Sequence, residues 1–178
     1  MIVLAGLVVG SFIGALTYRL PRSEGFVKGR SYCDNCDKSL SWLHNIPVFS
    51  YLILKGRSAC CGKKISIRYP LIELASAFGL VVLYSYFGFS ILLTTYYLLL
   101  LLTLAIFVID LENQIIPDEL SLLVFLLALF FNSSFLFLNL FSGFFCAFLI
   151  LLIHLATHGR GMGLGDVKLA IALGLWLG

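Results

Sequence analysis

The sequence predicts an all-α polytopic membrane protein with about six transmembrane helices, the last one truncated, and a small cytoplasmic loop domain between helices 1 and 2. Three observations carry this. The 178 residues are 61% apolar and only 12% charged, against about 25% charged in a soluble domain, which excludes a disordered chain and weighs against a soluble enzyme. No Asp, Glu, Lys or Arg occurs from Leu74 to Ile109, or from Leu120 to Gly159. Ten of the twelve Lys and Arg lie between Arg19 and Arg68.

The elements follow in order. A helix rises about 1.5 Å per residue, so crossing about 30 Å of hydrocarbon takes about 20 residues. Met1–Leu20 meets that length. Nothing basic precedes it and Arg19 and Arg22 follow it, so it reads as a retained helix with its N-terminus outside rather than as a cleaved signal peptide. Leu71–Phe87 and Ser90–Ile109 are separated by a turn near Gly88. Leu120–Leu138 and Asn139–Thr157 are separated by Asn132-Ser133-Ser134 or by Asn139. A sixth segment begins at Asp166 and is cut off at Gly178. The chain thus divides into a first transmembrane helix over residues 1–20, a basic cysteine-containing loop domain over 21–70, and a helical core over 71–178.

Lys and Arg in short loops stay cytoplasmic. With 21–70 inside, alternation puts Asp110–Glu119 and His158–Gly165 at the same face. The acidic residues therefore gather at, or within a turn of, the cytoplasmic side.

Two acidic sites stand out. Asp110 follows an uncharged run and leads to Ile116-Pro117-Asp118. Pro117 suits a helix start, and Asp118 can cap the next helix or favour its dipole. The bland reading of Asp110 is a solvated boundary residue. The second site is Gly161-Met-Gly163-Leu-Gly165-Asp166, followed by Val-Lys168 and an apolar run. Three glycines in five residues permit close approach and unusual backbone angles. The bland reading is a turn with Asp166 as N-cap, yet a carboxylate opening an apolar segment is costly without a role or partner. Lys168 does not face Asp166, because i,i+2 residues on a helix diverge. Packing the two helix ends can bring Asp110 and Asp166 together. Two close carboxylates share a proton, one then acting as base toward water and the other as acid toward a carbonyl.

These residues resemble the type IV prepilin peptidases, GxGD membrane aspartic proteases. The likeness runs from Gly10-Ser-Phe-Ile-Gly-Ala-Leu-Thr-Tyr-Arg-Leu-Pro-Arg22 through Cys33-Asp-Asn-Cys36, Trp42-Leu-His-Asn-Ile-Pro47, Gly56-Arg57 and Ile67-Arg-Tyr-Pro-Leu-Ile-Glu-Leu74. Asp110 with Pro117-Asp118 matches the first aspartate motif, and Gly163, Gly165, Asp166 and Lys168 match the second. The resemblance implies catalytic Asp110 and Asp166 in a bacterial inner (cytoplasmic) membrane. It implies prepilin or pseudopilin precursors of the type IV pilus or type II secretion systems as substrates, cut after a Gly on the cytoplasmic side. It also implies methylation of the new N-terminus with S-adenosylmethionine. Glu73 is a candidate for the methyl-donor site only as an acid near a boundary; pairing with Arg68 or Arg19 explains it equally. Further hydrophobic segments are implied beyond Gly178, twelve residues after Asp166.

Five cysteines are present. Cys146 falls inside an apolar segment and reads as a small packing residue. Cys33, Cys36, Cys60 and Cys61 share the loop and offer the sulphur shell of a structural zinc site, which would help a loop with little core to fold. The family pattern of two CxxC pairs is broken, since Ser58 stands where the third Cys is expected and Cys60 abuts Cys61. A four-thiolate site, a three-thiolate site and an empty site all stay open. Thiol–disulphide exchange is the rival chemistry, opposed by a cytoplasmic setting. His44 reads as a solvated loop residue. His154 and His158, one turn apart, can tune Asp166 or line a polar interior.

Three functions compete: the peptidase, a proton- or ion-coupled transporter using helix-end acids, and a membrane scaffold displaying a basic cysteine loop. Acids at helix ends rather than mid-bilayer weigh against transport. The basic loop suits anionic lipid at the bilayer surface. Nucleic-acid binding is not expected, because orientation already explains the charge. The oligomeric state is not written in the sequence.

Overall fold

A computed structural model of the chain describes residues 1–23, 36, 38, 46–131, 136–158 and 161–177. Among them every regular element is helical apart from one isolated antiparallel bridge between Arg57 and Lys64. The chain forms two compact units, Met1–Leu101 and Leu102–Gly178.

The first unit holds α1 (Ile2–Arg19) with a 3-10 turn over Leu20–Arg22, the short α2 (Phe49–Ile53), α3 (Arg68–Phe87), and α4 (Ile91–Asn113) as far as Leu101. Helices α1 and α3 pack on each other because small residues line the crossing. A Cβ on Gly6 would lie 2.5 Å from the Ala77 Cα, and one on Gly10 would lie 2.7 Å from the Glu73 Cα. Polar side chains close the rest of the seam. Ser76 Oγ donates to the Gly6 carbonyl at 2.8 Å, and the Arg68 guanidinium donates to Thr17 Oγ1 at 2.7 Å. On α1 the opposite face leaves Val3, Leu4, Val8 and Phe12 exposed, as a lipid-facing surface requires.

The second unit holds the remainder of α4, then α5 (Asp118–Phe131), α6 (Leu136–Ala156) and α7 (Leu164–Leu177). Leu120, Val124 and Ala128 recur every fourth residue and form the buried stripe of α5. Helix α7 packs against both α5 and α6. Its contact with α6 is backbone to backbone: a Cβ on Gly174 would meet the Gly143 Cα at 2.7 Å, and Ser142 Oγ donates to the Gly174 carbonyl at 3.1 Å.

Four helical stretches are long and apolar enough to cross a membrane: Ile2–Arg22, Arg68–Phe87, Ile91–Asn113 and Phe137–Ala156. The fold is that of an all-helical, polytopic membrane protein. The described parts of α5 and α7, 14 residues each, extend over about 21 Å.

Several boundaries differ from those read in the sequence. Helix α4 continues four residues past Ile109 and takes Asp110 into its last turn. It ends where Gln114 adopts φ +54° and its N–H caps the Asp110 carbonyl at 2.8 Å. Helix α7 starts at Leu164 rather than Asp166, and α3 at Arg68 rather than Leu71. Asn139, expected at a turn, is buried inside α6, so Leu136–Leu138 belong to α6 and not to the preceding segment. Cys146 lies in α6 but on an exposed face, not in a packed interior.

Candidate active site

The acidic site is built by the three helix ends of the second unit. Asp110 is exposed on the last turn of α4. Residues 114–117 then link to α5, where the Pro117 carbonyl accepts both the backbone N–H and the hydroxyl of Ser121 at 3.2 Å. Proline at this position has no N–H to leave unsatisfied, which is why the helix starts here. Asp118 and Glu119 occupy the first turn of α5, where the helix dipole favours negative charge.

Asp166 is half-buried in the first turn of α7. Its Oδ2 accepts the Gly163 N–H at 2.7 Å, a capping bond made backwards across the turn. Gly165 is needed for contact: a Cβ there would lie 3.0 Å from the Ile116 Cβ. Lys168 Nζ lies 2.8 Å from each carboxylate oxygen of Asp118. The segment between Asp110 and Asp118 thus touches the start of the helix carrying Asp166 at two points. Among the described residues no hydrogen bond or ion pair joins the Asp110 and Asp166 side chains. The partner of Lys168 was not visible in the sequence, because the two residues are 50 apart and only helical neighbours can be paired from spacing. His154 Nδ1 lies 2.6 Å from the Met162 carbonyl, just before the Gly-Leu-Gly-Asp turn, a partner that helical spacing does not reveal.

The loop cysteines belong to the first unit. Cys36, Cys60 and Cys61 converge, with their Sγ atoms within 4.8 Å of one another. Neighbouring residues seldom both reach one metal with ease, and Cys60 abuts Cys61. Their sulphurs converge here because Ser58 to Lys63 forms a tight turn, closed by Ser58 N–H to the Lys63 carbonyl and Gly62 N–H to the Ser58 carbonyl, both at 2.8 Å. Ser58 stays at the cluster, its Oγ 3.1 Å from the Cys60 Sγ. Cys36 and Cys60 are 2.9 Å apart, tighter than the roughly 3.8 Å between sulphurs in a tetrahedral shell with bonds of about 2.3 Å. An opening of about an ångström would fit these three thiolates to a metal. Cys33 and His44 lie outside the described residues.

Glu73 is buried in the first unit, on α3. Among the described residues its carboxylate is held not by an arginine but by the Val48 N–H at 2.7 Å and by the Ser11 hydroxyl. Val48 carries φ +60°, a left-handed conformation costly for a β-branched residue. The buried acid offsets that cost where the loop returns toward α2.

Two family models together match most of the chain: the bacterial peptidase A24 N-terminal domain over residues 4–87, and the type IV leader peptidase family over 96–178. A prepilin leader peptidase/N-methyltransferase of Klebsiella pneumoniae is 37% identical, covering 98% of this chain and 83% of that protein. Proteins of the same name from Neisseria gonorrhoeae and Pseudomonas aeruginosa are each 34% identical, covering 97% and 99% of this chain and 72% and 71% of theirs. No solved structure matches the chain.

Proposed function

Because the chain belongs to the type IV leader peptidase family, we propose that Asp110 and Asp166 are the catalytic pair with which it cuts the leader from prepilin-like precursors. The chain is a membrane prepilin peptidase. The observation that carries the assignment of residues is the meeting of the two motifs, Lys168 on Asp118 and Gly165 against Ile116. With the carboxylates sharing a proton, one would take a proton from water while the other donates to the scissile carbonyl oxygen. Gly163 would fix the Asp166 carboxylate through its N–H, and Pro117 would set the start of α5. The cytoplasmic face follows from the orientation inferred from the basic loop, and cleavage after a Gly is what the family resemblance implies. The division into a first helix (1–20), a basic loop (21–70) and a peptidase core (71–178) belongs to the same reading.

The relatives' second activity extends the proposal to methylation of the new N-terminus, with S-adenosylmethionine as methyl donor. For the thiol cluster we propose structural zinc held by Cys36, Cys60 and Cys61, with Cys33 as fourth ligand. The metal would staple a loop with little core. The transporter and thiol oxidoreductase alternatives are not favoured by the family match.

The test is cleavage of a prepilin-like peptide by the purified chain in detergent. Asp110→Asn and Asp166→Asn should each abolish product formation, and full cleavage by either variant removes that residue from the pair.

A further inference from the structure

The turn that delivers Asp166 is pinned at three consecutive residues, each by a side chain. The Gly161 N–H donates to Thr157 Oγ1 at 3.1 Å, the Met162 carbonyl meets His154 Nδ1 at 2.6 Å, and the Gly163 N–H donates to Asp166 Oδ2 at 2.7 Å. His154 sits in the last turn of α6, and Thr157 directly follows the helix. The last two contacts share one peptide unit. The carbonyl of Met162 and the N–H of Gly163 lie in a single plane and point in opposite directions within it. One end of that plane is gripped by His154, and the other end grips the Asp166 carboxylate.

A carbonyl oxygen can only accept, so the proton in the 2.6 Å contact is on His154 Nδ1. On its C-terminal side this peptide plane meets Gly163, which tolerates a wide range of φ, so that residue does little to hold the plane in one orientation, and turning it would remove the donor from Asp166. A hydrogen bond on the carbonyl also polarises the amide and strengthens its N–H as a donor.

From this we infer that His154 is a positioning residue for the peptidase: through the Met162–Gly163 peptide it fixes the amide that orients the Asp166 carboxylate. This rests on Asp166 being catalytic. The role needs only a donor at the Nδ1 position, which the Nδ2 of asparagine can supply, and not the imidazole itself.

The experiment measures kcat and KM for cleavage of a prepilin-like peptide by wild type, His154→Phe, His154→Asn and Asp166→Asn in one detergent. His154→Phe should lower kcat about tenfold, the upper weight of one hydrogen bond to a backbone carbonyl, and leave KM unchanged. His154→Asn should recover most of the loss. Equal kcat for His154→Phe and wild type overturns the proposal, and so does an Asn variant as slow as the Phe variant. A fall confined to KM overturns it as well. Should the Phe variant not fold, the 15N chemical shifts of His154 in the wild-type protein decide: a protonated Nδ1 supports the relay and an unprotonated one overturns it. If Asp166→Asn cleaves at the wild-type rate, the catalytic assignment itself falls. If it is inactive while His154→Phe is fully active, only the positioning role falls.

Discussion

Lys168, on the second turn of α7, reaches both carboxylate oxygens of Asp118 at 2.8 Å, bridging residues 50 apart in the chain. The pair is well exposed, with side-chain exposures of 55% and 68%. Exposed ion pairs contribute under about 1 kcal/mol to stability, so its effect should be on geometry. Lys168→Met should shift thermal unfolding in detergent only slightly but reduce cleavage several-fold. The exchanged double variant, Asp118→Lys with Lys168→Asp, should cleave faster than either single variant. A coupling energy of zero in that double-mutant cycle would show that the pair does not help to place α7.

Helices α6 and α7 touch at Gly143 and Gly174, with no side chain between the backbones. Apolar packing in a bilayer gains little from excluding water, so close contact of small residues supplies much of the association. Gly174→Ala would put a Cβ 2.7 Å from the Gly143 Cα and must push the helices apart. Overpacking of this kind costs about 1–3 kcal/mol. Thermal unfolding should show that loss. Because α7 carries Asp166, cleavage should fall with it, whereas Gly88→Ala, where a Cβ would meet nothing within 4 Å, should affect stability only through its left-handed backbone.

The helical architecture and the two aspartate motifs were legible because both are local. Uncharged runs mark where the chain meets lipid, and Pro117 and the glycines before Asp166 mark helix starts. Hydropathy locates the bilayer, however, and hydrogen bonding ends the helix. Helix α4 therefore runs on through Asp110 to Asn113 and stops only where Gln114 turns left-handed. Asn139 looked like a break because it is polar, although one buried polar residue does not interrupt the α6 backbone. Lys168 with Asp118 and His154 with Met162 join separate helix ends or a helix to a turn. Neither pair follows from helical spacing.

The thiol cluster makes a metal prediction. Removing any one of Cys36, Cys60 or Cys61 by substitution with Ser should lower the zinc content of the purified protein, measured by elemental analysis. Ser58 already lies beside Cys60, so Ser58→Cys should retain zinc or bind it more tightly against a chelator. Cys146→Ser, which alters an exposed face of α6, should leave zinc unchanged. Full zinc retention by all three loop variants would discard the site.

Glu73 supplies a prediction that separates its shape from its charge. Its carboxylate accepts the Val48 N–H at 2.7 Å where Val48 is left-handed, and it is buried in α3. Glu73→Gln keeps an oxygen able to accept that N–H, so thermal unfolding should stay near wild type. Glu73→Leu leaves the Val48 amide without its acceptor, and an unsatisfied amide of this kind costs about 1–3 kcal/mol. The Leu variant should therefore unfold at lower temperature, and protease digestion should cut it sooner near Val48. Methyl transfer to a pre-cleaved peptide distinguishes the remaining role. A Gln variant that folds normally yet loses methyl transfer would make the charge of Glu73 part of the methyl-donor site, whereas normal transfer by the Gln variant leaves Glu73 as the acceptor that holds the loop's return.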